Sequence, residues 1–195
     1  MMEITISKRF AKLSYALFLL VSTGLVFFSF EGYSLLSNTT SHLGAQGSPN
    51  AWLMNLVFVC LGLMAALTTY TTRIRFHQVM GAIFGLSLVM TAFFQHAPLV
   101  PGIPVNQLHD MWHSVFASST GFSFTILAAG HAFLSQNRQR YVALFMAVIA
   151  TVIPLGMMAF PAYMGLFQRL MFISAFGWLF FFMKAPQQGS PVDFQ

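Results

Sequence analysis

The chain has 195 residues, of which 57% are hydrophobic and only 7% charged, with a formal net charge of +5. Soluble domains carry about 25% charged residues, so this composition excludes a water-soluble enzyme or binding module and indicates a polytopic membrane protein. The basic excess is absorbed by membrane topology rather than by nucleic acid, and a single cysteine, Cys60, excludes an internal disulfide.

Residues 1–12 form a short segment carrying Lys8, Arg9 and Lys12. The apolar run at 13–30 is too long for a signal-peptide core, lacks a small-residue cleavage site, and reads as a first membrane helix. A polar loop at 31–48 follows, ending at Ser48-Pro49-Asn50-Ala51-Trp52, where a capping hydroxyl, a first-turn proline and an interfacial tryptophan mark a helix start. The second segment covers about residues 49–72 and is closed by the basic turn around Arg73 and Arg75. The third covers about 76–96, with Gly81 and Gly85 spaced for close backbone approach. A loop punctuated by Pro98, Pro101 and Pro104 leads to the fourth segment at 107–134. The fifth runs over 141–160 with a kink expected at Pro154, and the sixth ends at Lys184. The expected organisation is a cytoplasmic segment at 1–12, a six-helix transmembrane domain at 13–184 and a disordered cytoplasmic tail at 185–195. The fold class is an all-α bundle of six transmembrane helices.

If six helices alternate, Lys8, Arg9, Lys12, Arg73, Arg75, Arg138, Arg140 and Lys184 fall on one side, which is eight of the nine bases. The positive-inside rule then places both termini in the cytoplasm of a multi-pass cell-membrane protein. The remaining polar residues sort accordingly. Glu31, His42, His96, His109, Asp110 and His113 map to the outer end, and His77 and His131 to the inner end. His131 lies ~27 Å along its helix from His113, too far for a common site.

His109 and His113 are i,i+4 on one helix face, a spacing able to hold a metal or a polar headgroup. A zinc site would take this pair with His96 or His42, and Asp110 or Glu31 would act as general base on a zinc-bound water. The glutamate of an H-E-x-x-H motif is absent. A b-type haem would need His113 and His96 facing each other across an apolar slot. The structural reading is interfacial histidines bonded to one another, to loop carbonyls and to water. The thirteen methionines are scattered apart from Met157-Met158, which argues against a thioether copper site. The ninth base, Arg169, lies fifteen residues before Lys184, ~22 Å along the helix, and needs a partner at that depth. Glu31 and Asp110 are the acidic residues on its side. It would either form an ion pair pinning the sixth segment or offer its guanidinium to a lipid phosphate or carboxylate.

The loop Ser41-His42-Leu43-Gly44-Ala45-Gln46-Gly47-Ser48-Pro49-Asn50-Ala51, followed by Trp52-Leu53-Met54-Asn55, and the opening His109-Asp110-Met111-Trp112-His113-Ser114 of the fourth segment carry a resemblance. With six segments and both ends inside, the chain resembles the bacterial and archaeal membrane family termed "domain of unknown function 998", over about residues 13–184. The resemblance implies a six-helix integral membrane protein with no settled activity. A looser comparison is with alkaline ceramidase-like zinc hydrolases, of which only the His109/His113 spacing is matched.

The leading expectation is a binding or accessory protein whose outer pocket of His96, His109, Asp110, His113 and Arg169 accepts a lipid headgroup, a small polar ligand or a partner subunit. Its partners would be membrane lipids and another membrane protein. The alternative is a zinc-dependent membrane hydrolase acting on lipids at the outer leaflet. Transport ranks third, because no charged pathway crosses the midplane.

Overall fold

The computed structural model describes residues 2–185. The expected tail lies, from residue 186 onward, outside the described residues. Among them the elements are helical: α1 (Met2–Gly24), α2 (Thr40–Leu43), α3 (Ala51–Tyr70), α4 (Arg75–Phe93), α5 (Gln107–Leu134), α6 (Asn137–Ala159) and α7 (Met164–Gly177). Short tighter turns at Leu25–Phe28 and Pro161–Tyr163 extend α1 and introduce α7, and α7 continues as a wider turn at Trp178–Phe182. Helix α1 starts well before the expected apolar boundary, because Lys, Arg and Ala propagate a helix as well as Leu does.

Among the described residues five helices are long and apolar enough to cross a membrane: Lys8–Phe28, Ala51–Tyr70, Arg75–Phe93, Asn137–Ala159 and Pro161–Phe182. The fourth apolar segment of the sequence, α5, has 28 residues. Its length is ample, but three histidines, Asp110 and a run of Ser and Thr dilute its apolarity below that of the other five.

The long helices pack in chain order, α1 on α3, α3 on α4, α4 on α5, α5 on α6 and α6 on α7, and α7 returns to α1 to close a ring. The tightest joint is α3–α4. A Cβ on Gly62 would run into the Gly85 carbonyl, and one on Gly85 into the Gly62 carbonyl, so the two backbones touch where neither has a side chain. Gly81 likewise accommodates the Thr69 side chain. The centre of the ring is aromatic. Phe172 of α7 packs against Phe18 of α1 and Phe58 of α3, while Phe84 of α4 packs against Phe124 of α5 and Phe176 of α7. Ring pairs of this kind contribute about 0.5–1.5 kcal/mol each beyond simple burial. In lipid, where apolar transfer drives nothing, such packing supplies much of the stability.

The short loops at the Arg73 and Ser135 turns put α3–α4 and α5–α6 together at the end where the chain starts. The loop at 29–50 and the loop at 94–106 meet at the opposite end, called the loop end below.

Gly85→Val places a branched side chain against backbone that cannot move aside. We expect a loss of about 1–3 kcal/mol, read as a lower midpoint of thermal unfolding in mild detergent. Gly121→Ala, where an added Cβ meets nothing within 4 Å, should leave the midpoint unchanged or raise it by up to about 1 kcal/mol.

Candidate functional site

Arg169 sits in the second turn of α7 with only 7% of its surface exposed. Its Nη1 donates to the carbonyls of Leu35, Asn38 and Gly165 at 3.1, 2.7 and 3.1 Å. Its Nη2 donates to the Ser22 carbonyl at 3.3 Å and to the Tyr33 hydroxyl at 2.7 Å. The expected carboxylate partner is therefore replaced: neither Glu31 nor Asp110 is among these contacts. Ser22 lies in the last turn of α1, where carbonyls have no intrahelical donor and the helix dipole is negative. The guanidinium thus closes the end of α1, gathers the first loop and ties both to α7. Gly165 makes this possible, because a Cβ there would strike the Asn38 carbonyl. Leu166 N–H donates to the Leu36 carbonyl at 3.0 Å, fixing the same contact. Tyr33 accepts from Arg169 and donates to the Thr39 carbonyl at 2.7 Å. Burial raises its pKa above the ordinary 10.0 despite the adjacent guanidinium, so the hydroxyl keeps its proton.

Two glutamines complete the loop end. Gln168 Oε1 accepts from both the backbone N–H and the hydroxyl of Thr40 at 2.7 Å, seating α2 on α7. Gln46 Oε1 accepts from Asn106 N–H at 2.8 Å while its Nε2 donates to the Gln95 and Asn106 carbonyls at 3.1 Å. That amide joins the two loops. Asn106 in turn caps α5, accepting from His109 N–H at 3.2 Å. Asp110 Oδ1 accepts from Ala97 N–H at 2.7 Å.

This framework brings three histidines together. The His42 and His96 ring centroids are 5.0 Å apart, and those of His96 and His113 are 5.5 Å apart at 86°. Hydrogen-bond partners fix the protons of the neutral rings. A backbone N–H only donates, so Thr39 N–H, 3.3 Å from His42 Nδ1, leaves the His42 proton on Nε2. A carbonyl only accepts, so His96 Nδ1 donates to Ala97 at 2.9 Å and His113 Nδ1 donates to Phe94 at 2.8 Å. The Nε2 atoms of His96 and His113 then carry lone pairs. Burial, helped by the proximity of His96, His113 and the Arg169 charge, lowers the His42 pKa from 6.5 to about 4. His42 is therefore neutral at physiological pH.

His109 is not part of this group. Its half-buried ring meets the edge of Phe94, at 5.5 Å. Glu31 is exposed and stands apart. Among the described residues no three of His, Cys, Asp and Glu are placed to hold one metal ion. The edge-to-face contact of His96 and His113 also leaves no slot for a haem between them.

Beside Ser41 and Thr91, which adjoin His42 and His113, lies a cavity of about 80 Å³ that no histidine ring lines. Ser41, Thr91 and Gln168 line its loop end, and Phe84, Phe124 and Phe176 lie deeper in the ring. Its wall includes Ala117 of α5, Gly121 of α5 and Ala150 of α6. Ala117 belongs to the inward stripe that contains the buried His113, Thr120 and Phe124, yet it is exposed. No residue of α6 beyond Ala150 is buried. The loop-end halves of α5 and α6 thus leave the cavity open at its side.

Sequence reasoning located His42, His96, His113, Asp110 and Arg169 at one end but missed Tyr33, Gln46 and Gln168. The available signal for Gln168 was an amide beside an arginine in an apolar segment. It also left His77 and His131 unjoined, although both are fully buried and lie 3.3 Å apart through His77 Nε2 and His131 Nδ1.

A model of the family described as "Protein of unknown function (DUF998)" matches residues 13–183, and the chain belongs to that family. No curated protein and no solved structure matches the chain.

Arg169→Lys retains the charge but cannot span the same acceptors. Losing two charge-assisted bonds should cost about 3 kcal/mol, read as a lower unfolding midpoint and faster proteolysis within residues 29–50. A histidine whose pKa is depressed on folding binds its proton more readily when unfolded. Stability should therefore be full above pH 6.5 and decline as pH falls toward about 4. Unfolding midpoints measured across that range should fall more steeply in the wild type than in His42→Gln.

Proposed function

We propose that this DUF998 protein crosses the membrane six times, with α5 as the remaining span, and binds a lipid-like amphiphile inside its helix ring. Both termini face the cytoplasm in this reading, which follows the positive-inside count, and the loop end faces outward. The amphiphile's chain occupies the cavity, its polar group meets the histidines, and it enters from the outer leaflet between α5 and α6.

The observation that carries this reading is the exposure of Ala117 on an otherwise buried stripe, at the mouth of an apolar cavity that ends in polar groups. A closed bundle would bury that position. Pro154 contributes, since it cannot donate to the Ala150 carbonyl and so loosens α6 at the level of the opening. Energetics divide the roles of the two subsites. An acyl chain gains little by leaving lipid for an equally apolar cavity, so affinity and selectivity must come from the polar end. Arg169 does not provide them, because its Nη atoms are taken by carbonyls of α1, the first loop and α7 and by Tyr33, and its Nε is sealed.

The zinc-hydrolase reading has one observation in its favour. His96 and His113 each donate Nδ1–H to a carbonyl, the arrangement that prepares Nε2 for a metal. His42 opposes it, because its proton lies on Nε2.

Protein purified in mild detergent should retain about one lipid-like molecule per chain, detected by native mass spectrometry. Gly121→Phe fills open space beside the cavity and should abolish that retention without lowering the unfolding midpoint. Undiminished retention in this variant contradicts the cavity site.

A further inference from the structure

Resting on the amphiphile reading above, we propose that the polar group received at the loop end is a primary ammonium. It would be recognised by the Nε2 lone pairs of His96 and His113 together with the Asp110 carboxylate.

The first argument is the direction of the hydrogen bonds. His42 and His113 are 7% and 5% exposed. Their Nε2 atoms have no protein partner, yet they are not among the sealed polar atoms, as His131 Nε2 is. They are therefore not fully sealed, and the cavity lining comes close to them through Ser41, next to His42 in the chain, and Thr91, whose carbonyl lies 3.2 Å from His113 Nδ1. With Nδ1 of His96 and His113 committed to carbonyls, a group that reaches Nε2 of either ring from the polar end of the cavity meets a lone pair. A phosphate or carboxylate oxygen placed there would set lone pair against lone pair. A group rich in N–H or O–H donors is what these atoms accept.

The second argument is charge. Asp110 is half-buried, one helical turn before His113, and its Oδ1 is held by a backbone N–H rather than by a cation. The buried base Arg169 has both Nη atoms committed to four carbonyls and Tyr33, and its Nε is sealed in the protein without a partner. A neutral hydroxyl would satisfy the imidazoles but leave the carboxylate uncompensated, whereas an ammonium supplies both positive charge and three N–H donors. A trimethylated ammonium has the charge without the donors and relies on an aromatic cage. Phe94, Trp112 and Phe116 do not form one here. They pack on each other with centroids 5.6–6.2 Å apart, leaving no gap between rings. The remaining donor, His42 Nε2–H, is free to bond an oxygen adjacent to the ammonium, such as that of a phosphodiester.

An ammonium of this kind is carried by a phosphatidylethanolamine headgroup or by a free primary amine, and the test separates them. The full chain in detergent is offered phosphatidylethanolamine and phosphatidylcholine with identical acyl chains, and bound lipid is counted by native mass spectrometry. Ethanolamine is titrated as a competitor. The inference expects about tenfold or greater preference for the primary amine. Asp110→Asn, which keeps Oδ1 for Ala97, and His96→Phe should each collapse the preference toward parity while phosphatidylcholine binding is unchanged. Competition by ethanolamine at concentrations matching the lipid assigns the site to soluble amines and still supports ammonium recognition. Equal binding of both lipids, lost for both in Gly121→Phe, overturns the ammonium inference and leaves the cavity reading standing. If neither lipid is retained, the cavity reading fails. Ethanolamine binding that Asp110→Asn removes would then still support the ammonium site, and its absence would overturn both.

Discussion

A guanidinium held in a low-dielectric region must find compensation or leave, and the whole loop end is arranged around that demand. Arg169 finds its compensation in backbone carbonyls and a phenol rather than in a carboxylate. Carbonyl dipoles stabilise positive charge without themselves requiring desolvation of an anion, which is the term that makes buried ion pairs costly. The same bonds relieve the orphan carbonyls at the end of α1. One side chain thus settles the depth of α7, the end of α1 and the path of the first loop. Gln168 and Gln46 extend the framework to α2 and to the second loop.

That rigidity contrasts with the other side of the ring. Opposed glycines lock α3 against α4, while α6 has no buried residue beyond Ala150. The contrast gives the molecule a fixed wall and a yielding one. The histidines come from the two loops and from α5, with protons assigned by backbone groups, and the opening lies beside Ala117. Under the proposed amphiphile reading, a ligand entering laterally would meet a polar end already oriented, with little reorganisation where it is recognised.

Much of this architecture was legible in the sequence. Apolar length located the helices, and the structure has His42, His96, His109, Asp110, His113 and Arg169 at the loop end of the ring. The geometry of the cluster was not legible. The i,i+4 spacing of His109 and His113 suggested a joint site, but the caps and loops decide differently. Asn106 starts α5 so that His113 turns in toward the Phe94 carbonyl while His109 meets the Phe94 ring. Arg169 was assigned a carboxylate because acidic residues are visible in a sequence, whereas carbonyls converging from α1, the first loop and α7 are a product of the fold. The boundary of α1 moved because helix propensity does not stop at the membrane surface.

The most direct test is an experimental structure of the full chain in lipid nanodiscs. The account predicts elongated density running from the Ser41, Thr91 and Gln168 end of the cavity toward Phe124 and Phe176, continuous with the bilayer beside Ala117. A closed ring, with Ala117 packed against α6 and the cavity empty, would contradict it.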